Sequence, residues 1–517
     1  MNRQEVYTKT LEYFKGDELA TNVWIDKYCL RNKEGEYLES TPDDMHKRLA
    51  KEFARIEQKY INPLSYEEIY KLLKNFTYII PGGSILYGCG NRFSISSLGN
   101  CFVIGNDSDS YGGICTTDQE LCQLFKRRSG VGHDVSHLRP NGARTTNAAE
   151  YGTGPVSFMS RYSHTARETA QSGRRGAQMI TIDVNHPDIE EFITSKDDLS
   201  QITGANISVK IDDEFMQCVE SGEYYQILWD TWDEPIGIDA KKLWNKLIHQ
   251  AWKSAEPGVL FWDKITSESP ADCYEDFQSI STNPCGEIPL CVYDSCRLMS
   301  INLYSFVENP FTDKAKFNYD HFKDVVYKAQ RLMDDVIDLE EEKINLILNK
   351  IENDPEPEEI KQVERNLWIK IREKLLQGRR TGLSCIGLAD MLSVLRITYG
   401  NNISIDLAEE IYKQFAITAY KSSIDIAKDR GAFSIWDAKQ EINNPFLRRI
   451  VNELAKPGKE PNEFSLQRRN IACLTIPPSG TISLLAGISS GIEPVYQLHY
   501  KRRRKVDNSH PNVSFTD

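Results

Sequence analysis

The chain has 517 residues, 40% of them hydrophobic and 26% charged, enough to bury a large core and to build two or three domains or one large barrel with attachments. Its 75 acidic and 62 basic residues leave a net charge of -13, which disfavours nucleic acid as the main partner and confines any phosphate binding to a local pocket. The first residues lack the apolar core of a signal peptide, no run approaches the length of a membrane span, and the 12 cysteines are scattered singly, so the expected location is cytoplasmic, where a disulfide is transient and catalytic.

Residues 1–95 read as a helical layer: Ser40-Thr41-Pro42-Asp43 has the form of a helix start, and Met45, Leu49, Phe53 and Ile56 recur at near-helical spacing. Pro81-Gly82-Gly83-Ser84 and Gly88-Cys89-Gly90-Asn91 punctuate the entry to a second region, 96–517. Its first run, Asn100 to Ile104, is strand-like and carries Cys101. A lone strand cysteine is more often core than chemistry, so Cys101 needs support from elsewhere. From 115 to 215 helix-like and strand-like segments alternate, interrupted by the stretch 171–179. There Gly173 and Gly176 flank Arg174 and Arg175, making a flexible cationic loop that either closes on phosphates or lies solvated on the surface.

The stretch Ser281 to Asn302 concentrates the chemistry. In an extended segment Asn283, Cys285 and Glu287 share one face. An amide orients a hydroxyl, a carboxylate removes its proton, and a thiol serves as nucleophile or, oxidised by one electron, as a hydrogen-atom abstractor. Two plainer readings stand beside this one: a structural cysteine in a Pro/Gly turn, or a zinc ligand grouped with Cys273, Cys291 and Cys296. No Cys-x-x-Cys spacing supports the zinc reading.

The segment 320–380 reads as strongly helical, and the acidic stretches Glu340 to Glu342 and Asp354 to Glu359 as solvated excursions without chemistry. After a strand-like run, Asn470 to Leu474, the turn Pro478-Ser479-Gly480-Thr481-Ile482-Ser483 offers backbone amides and hydroxyls suited to a phosphate, or simply a hydroxyl helix cap. The basic run Lys501 to Lys505 reads as a solvated face, and no internal repeat is present.

Six ordered motifs together resemble one family, the catalytic subunit of ribonucleotide reductase. They are Leu-Gly-Asn-Cys-Phe-Val around Cys101, Ser-Gly-Arg-Arg-Gly at 172–176, Asn-Pro-Cys-Gly-Glu-Ile-Pro-Leu at 283–290, Cys296 ahead of Ser-Ile-Asn-Leu, Arg-Arg-Thr-Gly-Leu at 379–383, and Pro-Pro-Ser-Gly-Thr-Ile-Ser at 477–483. The motif at 283–290 with its following cysteine, and Ser-Ser-Gly-Ile-Glu-Pro at 489–494, look most like class II, the adenosylcobalamin-dependent enzymes. Class I enzymes, which need a separate radical-generating metal subunit, share the layout. The resemblance implies a ten-stranded α/β barrel of two half-barrels, with helices outside and Cys285 at the tip of an inner finger loop. It implies that a Cys285 thiyl radical takes the 3'-hydrogen of a ribonucleotide di- or triphosphate, that Glu287 deprotonates the 3'-hydroxyl, and that Asn283 holds the sugar's oxygens.

By the same resemblance Cys101 and Cys296 are the dithiol that reduces the 2'-position, and Pro478 to Ser483 cradle the substrate phosphates. Arg174 and Arg175 lie in a loop relaying the identity of deoxynucleotide or ATP effectors, with Asp109 a further candidate for the effector pocket. A homodimer re-reduced by a thioredoxin-like dithiol is implied too. The sequence departs from the family pattern by opening without an ATP-cone and by stopping at Asp517, soon after the phosphate turn. A barrel lacking its last elements, or a second polypeptide completing it, is therefore expected. A non-catalytic nucleotide-binding fragment is the competing function; a glycyl-radical enzyme would leave Cys101, Cys296 and the arginine loop unexplained.

Overall fold

Helix Pro42–Glu57 starts directly after Thr41 with proline in its first position, where a missing amide proton costs nothing. Met45, Leu49, Phe53 and Ile56 are fully buried on its inner face, as their spacing requires. With Arg3–Tyr13, Glu18–Lys27 and Tyr66–Leu73 it forms the expected amino-terminal helical layer. The computed structural model describes residues 1–169, 176–198, 200–229, 232–455 and 466–497, and the backbone of 504–505 and 515–516. Most of the basic run at 501–505 thus lies outside the described residues.

The strands fall in two main sheets. In the larger, Cys101–Val103, Gly130–Asp134, Ala177–Asp183, Asn206–Ile211 and Gly258–Phe261 lie side by side and parallel. Helices such as Tyr111–Phe125 and Gly154–Glu168 connect them, because parallel neighbours need a long crossover. Ser295–Cys296 joins this sheet antiparallel to Cys101–Val103. In the smaller sheet Leu298–Asn302 lies between Ile79–Pro81, antiparallel, and Gly382–Ile386, parallel. Leu383 makes a parallel bridge to Leu474, so the strand-like run at 470–474 extends this sheet. The segment 295–302 passes from one sheet straight into the other and forms the seam between them.

The α/β architecture matches the expectation. Among the described residues the strands make open sheets rather than a closed ring of ten, since neither Gly258–Phe261 nor the run at 470–474 has a further neighbour. Helices Tyr319–Glu352 and Glu358–Gly378 fill the segment read as helical. The solvated reading of Glu340 is corrected: this side chain is fully buried, and its carboxylate accepts hydrogen bonds from the Ser97 hydroxyl and the Leu98 amide. Consecutive helical residues point about 100° apart, and here Glu340 turns inward while Glu341 and Glu342 lie nearer the surface. No helix among the described residues is long and apolar enough to cross a membrane.

Candidate functional site

Strand Ser281–Thr282 pairs antiparallel with Pro289–Leu290, and the loop between them carries Asn283, Cys285 and Glu287. This hairpin presses onto strand Gly130–Asp134. A Cβ on Gly132 would lie 1.8 Å from the Thr282 carbonyl oxygen, and one on Gly130 would lie 3.0 Å from Cγ of Pro284. Glycine alone permits that approach. Neighbouring strands add grips: the Thr181 hydroxyl donates to Ser281 Oγ (2.9 Å), Asn206 Nδ2 to the Pro284 carbonyl (2.8 Å), and Lys210 Nζ to the Ile280 carbonyl (3.2 Å).

The loop is not extended, which corrects the shared-face reading. The Gly286 amide donates to the Asn283 carbonyl (3.0 Å) and Gly286 has φ +84. With Pro284 in the second position, that closes a β-turn. The side chains converge because the turn folds Glu287 back onto Asn283. Asn283 is fully buried; its Nδ2 donates to Glu287 Oε2 (2.6 Å) and lies 3.4 Å from Cys101 Sγ, while its Oδ1 accepts from the Ile288 amide (3.0 Å). Cys285 stands exposed at the turn's corner, whereas Cys101 and Cys296 are buried.

Cys101 and Cys296 occupy directly opposite positions of the antiparallel pair at the seam. Opposite residues there are about 4.5–5.5 Å apart at Cα, inside the roughly 4.4–6.8 Å span of disulfides. Burial pushes the Cys101 thiol well above its ordinary pKa, with the Glu287 carboxylate adding to the effect. Burial likewise pushes Cys296 up to about 12. Both are therefore neutral thiols at pH 7. Burial raises the Glu287 carboxyl too, against the opposing hydrogen bond from Asn283. The four cysteines weighed as zinc ligands do not assemble: Cys273 and Cys291 pack with Phe277 and Phe433, while Cys296 packs with Val103 and Leu290.

The turn Pro478 to Ser483 leads into helix Gly480–Ala486. Ser479 does not cap that helix; its hydroxyl accepts from the Gly491 amide (2.8 Å) and pairs with Ser490 Oγ (3.2 Å). Thr481 Oγ1 lies 2.6 Å from the Tyr28 hydroxyl, and Ser483 Oγ donates to the Gly480 carbonyl (3.2 Å). Ile482 is buried, while Pro478 and Gly480 are exposed. Thr475 Oγ1 donates to the Glu287 carbonyl (3.3 Å), which brings this stretch against the hairpin. Tyr28, Asn206 and Thr475 carry no sequence signal that singles them out.

Asp109 lies elsewhere. Its carboxylate is paired with Arg139 (2.6 and 3.0 Å), which holds it below the usual carboxylate range. Together they border a cavity of about 180 Å³ that also touches Tyr111, Thr145, Asn147 and Phe158. Arg174 and Arg175 lie outside the described residues. Ala177, Gln178 and Met179, read as loop, begin a strand whose inner residues are β-branched and buried.

Residues 99–517 match the family described as ribonucleotide reductase, barrel domain, and residues 14–93 match ribonucleotide reductase, all-alpha domain. The chain is 32% identical over 446 residues to the vitamin B12-dependent ribonucleoside-diphosphate reductase of Thermoplasma acidophilum, covering 86% of this chain and 50% of that protein. It is 30% identical over 489 residues to the vitamin B12-dependent ribonucleoside-diphosphate reductase of Mycobacterium tuberculosis, covering 93% of this chain and 62% of that protein. A vitamin B12-dependent ribonucleotide reductase of Streptomyces clavuligerus is 27% identical over 446 residues, covering 76% of this chain and 43% of that protein. The chain thus spans less than two thirds of the length of these relatives.

Proposed function

The chain belongs to the ribonucleotide reductase family, and from that premise we propose that it reduces ribonucleotides to 2'-deoxyribonucleotides through a thiyl radical on Cys285 and the dithiol of Cys101 and Cys296. The observation that carries this reading is the cross-strand opposition of the two buried cysteines beside the Asn283–Glu287 pair. In the net reaction the 2' C–O bond breaks, a C–H bond forms, water leaves, and two S–H groups become one S–S bond. Thiols kept neutral by burial supply both electrons and both hydrogens.

In this reading Cys285 takes and returns the 3'-hydrogen, Glu287 accepts the 3'-hydroxyl proton, and Asn283 orients both the sugar and the carboxylate. Pro478, Ser479, Gly480, Thr481, Ile482 and Ser483 form the substrate-phosphate turn. Deoxynucleotide or ATP effectors occupy the cavity beside Asp109, with Arg174 and Arg175 relaying their identity to the substrate. The relatives' names support adenosylcobalamin as cofactor, which supplies a one-electron oxidant when bound. Cys285 fits that need, being the exposed thiol of the three. The same reading takes the helical region as 1–95 and the barrel as 96–517, in a homodimer re-reduced by a thioredoxin-like dithiol.

The test is one round of chemistry with adenosylcobalamin, a ribonucleoside diphosphate and no external reductant. Deoxynucleotide stoichiometric with the chain is expected, with Cys101 and Cys296 joined in a disulfide on peptide mapping. Cys285→Ser is expected to bind nucleotide and make no product, because a hydroxyl O–H bond is too strong to carry the radical. Product from that variant, or both thiols free after a wild-type turnover, overturns the assignment.

A further inference from the structure

A buried side chain of the amino-terminal helical layer reaches the phosphate turn. Tyr28, the residue that ends helix Glu18–Lys27, is buried, and its hydroxyl lies 2.6 Å from Thr481 Oγ1. That hydroxyl also faces Gly83, where a Cβ would lie 3.1 Å from it. The adjoining Ser84 hydroxyl is buried and has no hydrogen-bond partner among the described residues. Tyr28 and Gly83 of the amino-terminal region and Thr481 of the second region therefore meet at one point.

We propose that Tyr28 is a positioning residue of the substrate-phosphate subsite, acting through Thr481; the proposal rests on the function proposed above. A phosphate oxygen only accepts hydrogen bonds, so Thr481 must give it the single proton its hydroxyl carries. That proton is available only while Tyr28 donates to Thr481 rather than receiving from it. The phenol then fixes the threonine rotor and leaves its proton for the ligand, which removes the cost of ordering the hydroxyl on binding. Thr481 without Tyr28 still carries a hydroxyl, but one free to turn toward its own backbone, as threonine hydroxyls do. The helical layer thus contributes to substrate affinity without touching the sugar or the base.

Tyr28→Phe keeps the buried ring and removes only the hydroxyl, so the fold is expected to persist. CDP binding is measured by calorimetry on the full chain, and dTTP binding is measured separately. Tyr28→Phe is expected to weaken CDP about 3- to 10-fold, the weight of one hydrogen bond, to leave dTTP affinity unchanged, and in turnover to raise KM with kcat retained. Thr481→Val is expected to do the same, and the double variant no more than either single one. Unchanged CDP affinity in Tyr28→Phe alongside weakened CDP in Thr481→Val removes Tyr28 from the subsite. Additive losses in the double variant, or an equal loss of dTTP affinity, overturn the proposal as well. Unchanged CDP affinity in Thr481→Val overturns the phosphate-turn reading beneath it.

Discussion

Asn283 holds the acid–base balance of the site. Its Nδ2 hydrogen bond lowers the Glu287 pKa while burial raises it, and burial wins. In the proposed mechanism Glu287 works as a base only when ionised, so a raised pKa places the acid limb above that of an ordinary glutamate. Asn283→Ala takes away the lowering influence and leaves the raising one. The acid limb of kcat/KM against pH is therefore expected to move to higher pH, with turnover falling most under mildly acidic conditions. A pH profile whose acid limb stays where it was would show that another group titrates there. At this scale the sequence was most informative about residue types: an amide, a thiol and a carboxylate within five positions make catalysis one reading, beside a structural cysteine in a turn or a zinc ligand. It was silent about how they meet, because alternation along a strand and closure of a turn use the same five residues. Pro284 and Gly286 were the clue to the turn, and the hydrogen bond from the Gly286 amide to the Asn283 carbonyl decides it.

The hairpin at 281–290 owes its position to absent atoms on its neighbour. Adding one methyl group at Gly132 sets it 1.8 Å from the Thr282 carbonyl, far inside contact distance, and both groups are backbone-anchored. The hairpin must then lift from the sheet and carry Cys285 with it. Cys285 is the reacting group of the proposed mechanism, and displacement of such a group by about 1 Å costs on the order of 10²-fold in rate, so Gly132→Ala is expected to lower kcat by about that factor while dTTP binding persists. Wild-type kcat in this variant would mean that the sheet does not fix the finger. The helices were legible from periodicity, as Met45, Leu49, Phe53 and Ile56 illustrate. The pairing of Cys101 with Cys296 was not, since it depends on the register of strands far apart in sequence, which hydrophobic pattern leaves open.

Across the molecule, a buried ionic network ties the helical layer to the rest. Asp334 accepts from Arg379 Nε (2.9 Å), Arg430 Nη1 (3.0 Å) and Arg469 Nε (3.3 Å), and Arg430 also reaches Glu57 on helix Pro42–Glu57. Burial alone would raise the Asp334 pKa, but the three guanidinium groups outweigh it and hold it at about 2. A carboxylate depressed in the folded state contributes stability above its ordinary pKa and loses it as pH falls toward the depressed value. Asp334→Ala removes the acceptor that three guanidinium groups share, leaving Arg379 with Asp338 and Arg430 with Asp335 and Glu57, and is expected to destabilise the fold by about 3 kcal/mol near pH 7. The gap from wild type should narrow between about pH 4 and pH 2; urea unfolding across that range checks both statements, and a pH-independent gap contradicts them. The seam at 101 and 296 has a consequence of another kind. In the proposed cycle its oxidation closes a covalent ring through the whole larger sheet, and a ring that size restricts the unfolded chain by about 2–5 kcal/mol. The enzyme would alternate with each turnover between an unstapled and a stapled molecule, melting higher when spent than when charged. A spent form with no higher melting temperature than the reduced one would deny the staple. The reductant that recharges it would then be acting on the more rigid of two states, prising open a clasp rather than meeting a loose pair of sulfurs.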